Sequence, residues 1–499
     1  MCFLVCICLT VFSFVTCFAR GNPVPIKSGE LKGTIPAFKL GNDDYYVMQG
    51  CYHVPANDTL KIESGCVIVF TDWCRIIVNG VIIAGNTDDR RWVEFRSLET
   101  NSEFANREIK LEHSTGKSIF RRCNWQDGRA GFNIDFPFEG QNPCSNATFN
   151  GSVVYSIASS VQFSACHIEG GVNSISIDSS SHLMITGTSI YKSKRDLYYP
   201  EKTGQIAIRN GSTAELNSLQ WYESEGALII DDADTVTINS SNFTNNSDFG
   251  LLISGSSIVS IKTCSFLENQ CWMNGLMYCD RDSRVEVEFS KFFRNFASAT
   301  HTLIEVRPGA ELSVSQSTFA ANLVGEQNAF RPWYGDAFPL LKNYGHFNAY
   351  RTIFSDSKPN RLLQTGLPDL NRLRPAVIDG GPNGETIYLE VDLDTVLTQD
   401  TAKATFTHCC IHNFAKPHFL VFNYPDYPED FLKLPVLEIV TTRLIDGDPM
   451  FENVALGDLR LRKESPCIGP FDNNALGTVR PTRWIIGCGD DMSPRDMYR

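Results

Sequence analysis

One phrase of apolar and polar positions returns through the middle of the chain: two apolar residues separated by one position, four further positions, then a large apolar residue. Its clear copies are Val161-x-Phe163-x4-Ile168, Leu183-x-Ile185-x4-Ile190, Ala214-x-Leu216-x4-Trp221, Val236-x-Ile238-x4-Phe243 and Val259-x-Ile261-x4-Phe266. An earlier copy ends at Trp125, and later ones end at Phe292, Phe319, Phe354 and Ile411. The last residue of each copy is its anchor. Between anchors the chain advances about 22 to 27 residues in the best stretch, the range of stacked supersecondary repeats. Within a copy apolar residues alternate with Ser, Thr, Asn, Glu and Lys, as in Val236-Thr237-Ile238-Asn239. This is the period of a strand with one buried face, and it lacks the i, i+3, i+4 spacing of a helix. The pattern predicts a solenoid of strands.

Two register marks accompany the anchor. Three positions after it stand Asn246, Asn269, Asn295 and Asn322, preceded by Ser193 and Ser224. Stacked Asn side chains can hydrogen-bond along a solenoid axis, and Asn tolerates the left-handed backbone of tight turns. Two positions before it the residue is usually small: Cys123, Cys166, Thr188, Ser241, Cys264, Ser290, Ser317, Thr352 and Cys409, with Leu219 the exception. These read as an inward stack in which the four cysteines pack as thiols.

With these marks the chain resembles the pectate-lyase-like superfamily. Its opening segment over residues 60–70, followed by residues 78–87, is similar to the first coils of that group. Gly447-Asp-Pro449-Met-Phe451, Gly457-Asp-Leu-Arg-Leu461 and Ser465-Pro-Cys467-Ile are similar to its closing sequence. The resemblance implies an all-β chain built as a single right-handed parallel β-helix, and a setting at or outside the cell surface among polysaccharides. The expected organisation is a signal peptide over 1–19, an N-terminal cap over 20–58, the β-helix over 59–416 and a C-terminal cap over 417–499. Insertions fall near 192–203 and 325–345, and long excursions from a solenoid often line its binding face.

A formal net charge of −13 and a pI near 5.2 exclude nucleic acid as the expected partner, since phosphate binding needs a basic surface. The first eighteen residues are almost wholly apolar and short for a membrane span, so a secretory signal is expected, with no transmembrane segment after its removal. Outside the inward stack lie Cys51, Cys66, Cys74, Cys144, Cys271, Cys279, Cys410, Cys467 and Cys488, of which Cys271 with Cys279 and Cys467 with Cys488 are candidate disulfides of a secreted chain. Cys and His at compact ligand spacing are too few for zinc. Sequons at Asn57, Asn146, Asn150, Asn210, Asn239, Asn242 and Asn245 would be glycan acceptors in a eukaryotic secretory pathway. The acidic Asp392, Asp394 and Asp400 match no compact calcium loop and read as a solvated turn.

Equivalent positions on successive coils stack about 4.8 Å apart, so aligned residues become neighbours. Two positions beyond the anchors stand Lys192, Glu223, Asn245, Glu268 and Arg294, with Lys194 and Glu225 two further on. Such a patch carries the chemistry that eliminates across a uronate: a cation neutralises the carboxylate and a base removes the acidified C–H proton. Glu223, Glu225 and Asn245 are the candidate calcium ligands, and Lys192, Lys194 and Arg294 the candidate bases. Arg195, Tyr198, Tyr199, Tyr222, Glu268, Trp333 and Tyr334 are candidate substrate contacts. Glu223-Ser224-Glu225 is similar to the calcium-binding Glu-x-Glu of the chondroitinase B-like lyases, although Ile230 stands where that family has Lys. The acidic run Asp231, Asp232, Asp234 precedes a strand and reads as a turn, and the polygalacturonase-like set is absent, so a lyase is favoured over a hydrolase.

Two functional expectations result. One is a secreted β-helix that binds or processes an extracellular polysaccharide or cell-surface glycan. The other is a non-catalytic adhesin or surface structural protein, whose charged ladder serves to pair strands. Convergence of the ladder in a groove with a cation would favour the first, and mutual salt bridges on a flat face the second.

Overall fold

The computed structural model describes residues 22–38, 43–86, 88–97, 107–126, 152–169, 173–192, 204–271, 275–297, 302–324, 339–355, 361–365, 403–413, 419–421 and 438–468. The expected signal segment and the candidate contacts Lys194, Arg195, Tyr198, Tyr199, Trp333 and Tyr334 lie outside them. So do Cys144, Cys488, Asn146, Asn150 and the acidic Asp392, Asp394 and Asp400. The chain divides into two compact units, residues 1–226 and 227–499.

In the first unit the anchor strands Cys123–Gln126, His167–Glu169, Ser189–Tyr191 and Gln220–Tyr222 pair in parallel, with Trp125, Ile168, Ile190 and Trp221 in one row. A second wall aligns Phe120, Phe163, Ile185 and Leu216. A third contains Ser152–Ile157, Asn173–Asp178 and Gly204–Arg209. The pairing starts before the expected boundary at residue 59: Tyr45–Val54 already pairs with Val67–Val78, and Gly33–Ile35 with Thr59–Ile62. The alternating side chains of Tyr45–Val54 are the reason, since Met48, Tyr52 and Val54 are buried as in any later coil. On this wall Arg75 aligns with Glu108, and Arg75 Nη2 lies 2.7 Å from Glu108 Oε2. Their side chains are 2% and 1% exposed, which makes this a buried ion pair.

The second unit repeats the plan. Phe243, Phe266, Phe292, Phe319, Phe354 and Ile411 form the anchor row. The first five rings stack at centroid distances of 4.8, 4.8, 4.2 and 5.1 Å, adding aromatic contact to area burial. Its second wall runs from Thr235–Asn239 to Glu438–Thr442 and its third from Ala227–Asp231 to Phe419–Val421. Residues Pro339–Asn343, inside the expected 325–345 excursion, are a strand of that third wall.

Both register marks find their physical cause. Asn246, Asn269, Asn295 and Asn322 are buried, and each side-chain amide of the first three donates to the next Oδ1 at 2.9, 2.9 and 3.0 Å. Their backbone is not left-handed; that conformation belongs to the residue before, as Asn245, Glu268, Arg294 and Ala321 show with φ of 52 to 55°. The small residues two before the anchor do more than save volume. Ser290 Oγ donates to Glu288 O at 2.9 Å and accepts the Cys264 N–H at 3.2 Å, while Ser317 Oγ does the same for Ser315 O and the Ser290 N–H. Cys264 Sγ donates to Lys262 O at 3.3 Å, so Ser, Thr and Cys interchange because each carries a short X–H donor.

The residue three before each anchor is also left-handed: Arg122, Ala165, Gly187 and Ser218 in the first unit, and Ser240, Thr263, Phe289, Gln316, Arg351 and His408 in the second. A single αL residue thus turns each coil between its second wall and its anchor strand. Thr263 holds φ 56° with a β-branched side chain, which is strained by about 1 kcal/mol. Thr263→Asn is therefore expected to stabilise the second unit by about that amount, read as a higher urea midpoint in circular dichroism. An unchanged or lower midpoint would show that the turn carries no such strain.

The described members of the two candidate disulfide pairs are free thiols. Cys271 and Cys279 are both free and buried, on strands of different walls, Gln270–Cys271 and Met277–Cys279. Cys467 is a free thiol as well, packed in one apolar cluster with Cys410, whose Sγ donates to Gly447 O at 3.3 Å. The four inward-stack cysteines are buried thiols, as expected.

Candidate functional site

The outer face of the first unit's anchor wall places Gln126, Glu169, Tyr191 and Tyr222 in one row. The Tyr191 and Tyr222 rings stack at 4.7 Å, inclined by 28°. His167, whose Nδ1 lies 2.6 Å from Ser189 Oγ, has its ring 6.2 Å from that of Tyr191. Burial lowers the His167 pKa against the opposing pull of Glu169, which favours the neutral ring.

Lys192 sits at the left-handed corner after this row, φ 50°, its ammonium 4.3 Å above the Tyr191 ring and 3.9 Å from Glu169 Oε1. Its hydrogen bond with Tyr191, together with the carboxylates of Glu169 and Glu223, holds its pKa above the usual lysine range. A general base needs the opposite shift. Glu223 and Glu225 are exposed on either side of the buried Ser224, whose hydroxyl donates to Tyr222 O at 3.0 Å. Among the described residues no three His, Cys, Asp or Glu side chains form a group that could hold a metal ion.

The remaining ladder residues belong to the second unit. There Asn245, Glu268 and Arg294 occupy equivalent corners, and Arg294 Nη1 lies 3.4 Å from Glu268 Oε1. Arg294 Nη2 also donates to Ala455 O at 2.6 Å, and Lys291 Nζ to Gly457 O at 2.8 Å. These bonds hold a C-terminal antiparallel hairpin, Phe451–Asn453 with Asp458–Leu461, across the outer face of the wall. Beneath it Phe293, Ala320, Ile353 and Cys410 close an apolar cluster with Phe451, Leu459 and Cys467. Gly457 takes φ 74°, and a Cβ there would meet the Phe293 ring at 3.2 Å. Arg294, expected as a base, is an anchoring group for this hairpin. Its signal in the sequence is Phe293, a large apolar residue at a position that should face water. Sequence reasoning also missed a polar cleft of about 540 Å³ beside the hairpin, lined by residues that include His412, Asp448, Glu452 and Arg462.

Residues 152–324 match the protein family described as "Right handed beta helix region". The parallel walls of both units are those of a right-handed parallel β-helix. No curated protein sequence matches the chain. Among solved structures, the periplasmic alginate epimerase AlgG is similar at a TM-score of 0.32 and 10% identity, over 79% of this chain and 76% of that one. A mutant tailspike protein of E. coli bacteriophage HK620, in complex with a pentasaccharide, is similar at a TM-score of 0.25 and 10% identity, over 87% of this chain and 74% of that one. Among the described residues no helix is long and apolar enough to cross a membrane.

Proposed function

We propose that the chain is a secreted or surface β-helix that binds a polysaccharide or cell-surface glycan, without cleaving it, on the outer anchor wall of its first unit. The observation that carries this reading is the Tyr191–Tyr222 stack with Lys192 and Glu169 beside it. Aromatic groups supply apolar surface for sugar C–H faces, while the ammonium and carboxylates supply donors and acceptors for hydroxyls. The apolar first eighteen residues support export. Binding is favoured over a lyase because Lys192 is held protonated by its neighbours and Arg294 is engaged with the hairpin.

A glycan array followed by calorimetry on the strongest ligand tests the proposal. The double variant Tyr191→Ala, Tyr222→Ala is expected to weaken binding at least tenfold, with the circular dichroism spectrum unchanged. Unaltered affinity would remove this face from consideration. Incubation with uronate polymers and calcium should give no unsaturated fragments; their appearance would establish the lyase instead.

A further inference from the structure

The closing segment brings a second cysteine against the anchor wall. Ile411 belongs to the inward anchor row, so the alternation of strand Cys410–His412 turns Cys410 to the outer face, in line with Ile353 on the coil before. Its neighbour Cys409 faces the other way, where its Sγ donates to Ala349 O and Thr407 O, both at 3.5 Å. Cys410 Sγ donates to Gly447 O at 3.3 Å, and Gly447 N to Ile411 O at 3.2 Å, which lays the start of the closing segment beside the sulfur. Ser465 then folds the segment back on itself. Its Oγ donates to Pro449 O at 2.6 Å and accepts the Cys467 N–H at 3.1 Å. Cys467 thereby enters the apolar cluster that holds Cys410, and both side chains are wholly buried.

The other described cysteines of this unit have different company. Cys264 stands between Ser241 and Ser290 in the inward stack, and Cys409 follows Thr352 there. Cys271 is aligned with Ala297, and Cys279 with Ile253 and Val306. The Cys467 thiol, together with burial, pushes the Cys410 thiol far above its ordinary range, so the closed arrangement holds almost no thiolate.

We infer that Cys410 and Cys467 form a disulfide when the chain meets an oxidising compartment, a covalent bolt that fastens the closing hairpin over the anchor wall. Glutathione disulfide is the class of oxidant required. One cysteine thiolate attacks it and releases one glutathione, leaving a mixed disulfide on the protein. The second cysteine attacks the protein sulfur of that bond and releases the other glutathione. Two thiol protons leave the protein, and its two electrons reduce the oxidant to two glutathione thiols. Attack needs a thiolate, so it takes place while the hairpin is lifted, and re-docking buries the product. The bond gives Cys467 a partner other than the Cys488 that sequence suggested. It shares with the proposed function only the export of the chain, and its test needs neither glycan nor secretion.

The native full chain is incubated with glutathione disulfide, unfolded in the presence of an alkylating reagent and digested without reduction for mass spectrometry. The expected product is a pair of peptides joined through Cys410 and Cys467, while Cys264, Cys271, Cys279 and Cys409 carry the alkyl label. Gly457→Ala should speed the joining several-fold, since its Cβ would press on the Phe293 ring and loosen the hairpin. Hydrogen exchange of the Phe451–Asn453 and Asp458–Leu461 amides should slow at least tenfold on oxidation, and show no such change in Cys467→Ser. Labelling of both Cys410 and Cys467 after prolonged oxidation, or a bond from Cys467 to Cys488, overturns the pair. A joined pair with unchanged hydrogen exchange overturns the bolt.

Discussion

Asn269→Ala is expected to destabilise the second unit by about 3–5 kcal/mol, because one substitution breaks the amide ladder in both directions. The Asn269 amide donates to Phe243 O and to Asn295 Oδ1, both at 2.9 Å. Its Oδ1 accepts from Asn246 N at 3.2 Å and Asn246 Nδ2 at 2.9 Å. Alanine fills neither role, and the abandoned groups are in a core that water does not enter: Asn246, Asn269 and Asn295 are 1%, 0% and 0% exposed. Asn269→Asp should be at least as costly at neutral pH, since it turns an oxygen toward two carbonyl oxygens in place of a donor. Urea unfolding followed by circular dichroism measures both. A loss below about 1 kcal/mol, the net worth of a single ordinary hydrogen bond, would mean that the ladder is decorative.

The second large effect is expected in the first unit. Glu108→Ala should cost about 3–5 kcal/mol, because it takes the carboxylate away from the Arg75 guanidinium in a site that is 2% exposed. The attraction itself is not the stabilising quantity, since desolvation of both ions offsets much of it. The discriminating variant is therefore the double replacement Arg75→Met, Glu108→Leu, which should lose less than Glu108→Ala alone. If both lose equally, the pair's other hydrogen bonds, and not the uncompensated charge, carry the effect.

The architecture was legible because a strand has period two and a coil has a register. Each anchor, each Asn and each small residue before the anchor could be aligned by counting, and within each unit the structure places the anchors in one row. The chemistry was less legible. Lys192, Glu223, Asn245, Glu268 and Arg294 do share one position, but that position is the αL corner, where polar residues are selected by backbone and solvent as well as by any ligand. The role of Arg294 depends on a hairpin more than 150 residues away in sequence. No local pattern announces that contact; only the outward Phe293 hints that something must cover it.

The buried thiols give the molecule a set of internal clocks. Cys66, Cys74, Cys123 and Cys166 lie in the first unit, and Cys264, Cys271, Cys279, Cys409, Cys410 and Cys467 in the second, all shielded from solvent. Burial pushes Cys66, Cys264 and Cys409 up to about 12, leaving almost no thiolate at neutral pH. An alkylating reagent can reach each sulfur only while its own coil is open. The order in which these cysteines are tagged is therefore a time-stamped record of which turns of the spring come apart first, written by the native chain without any introduced label.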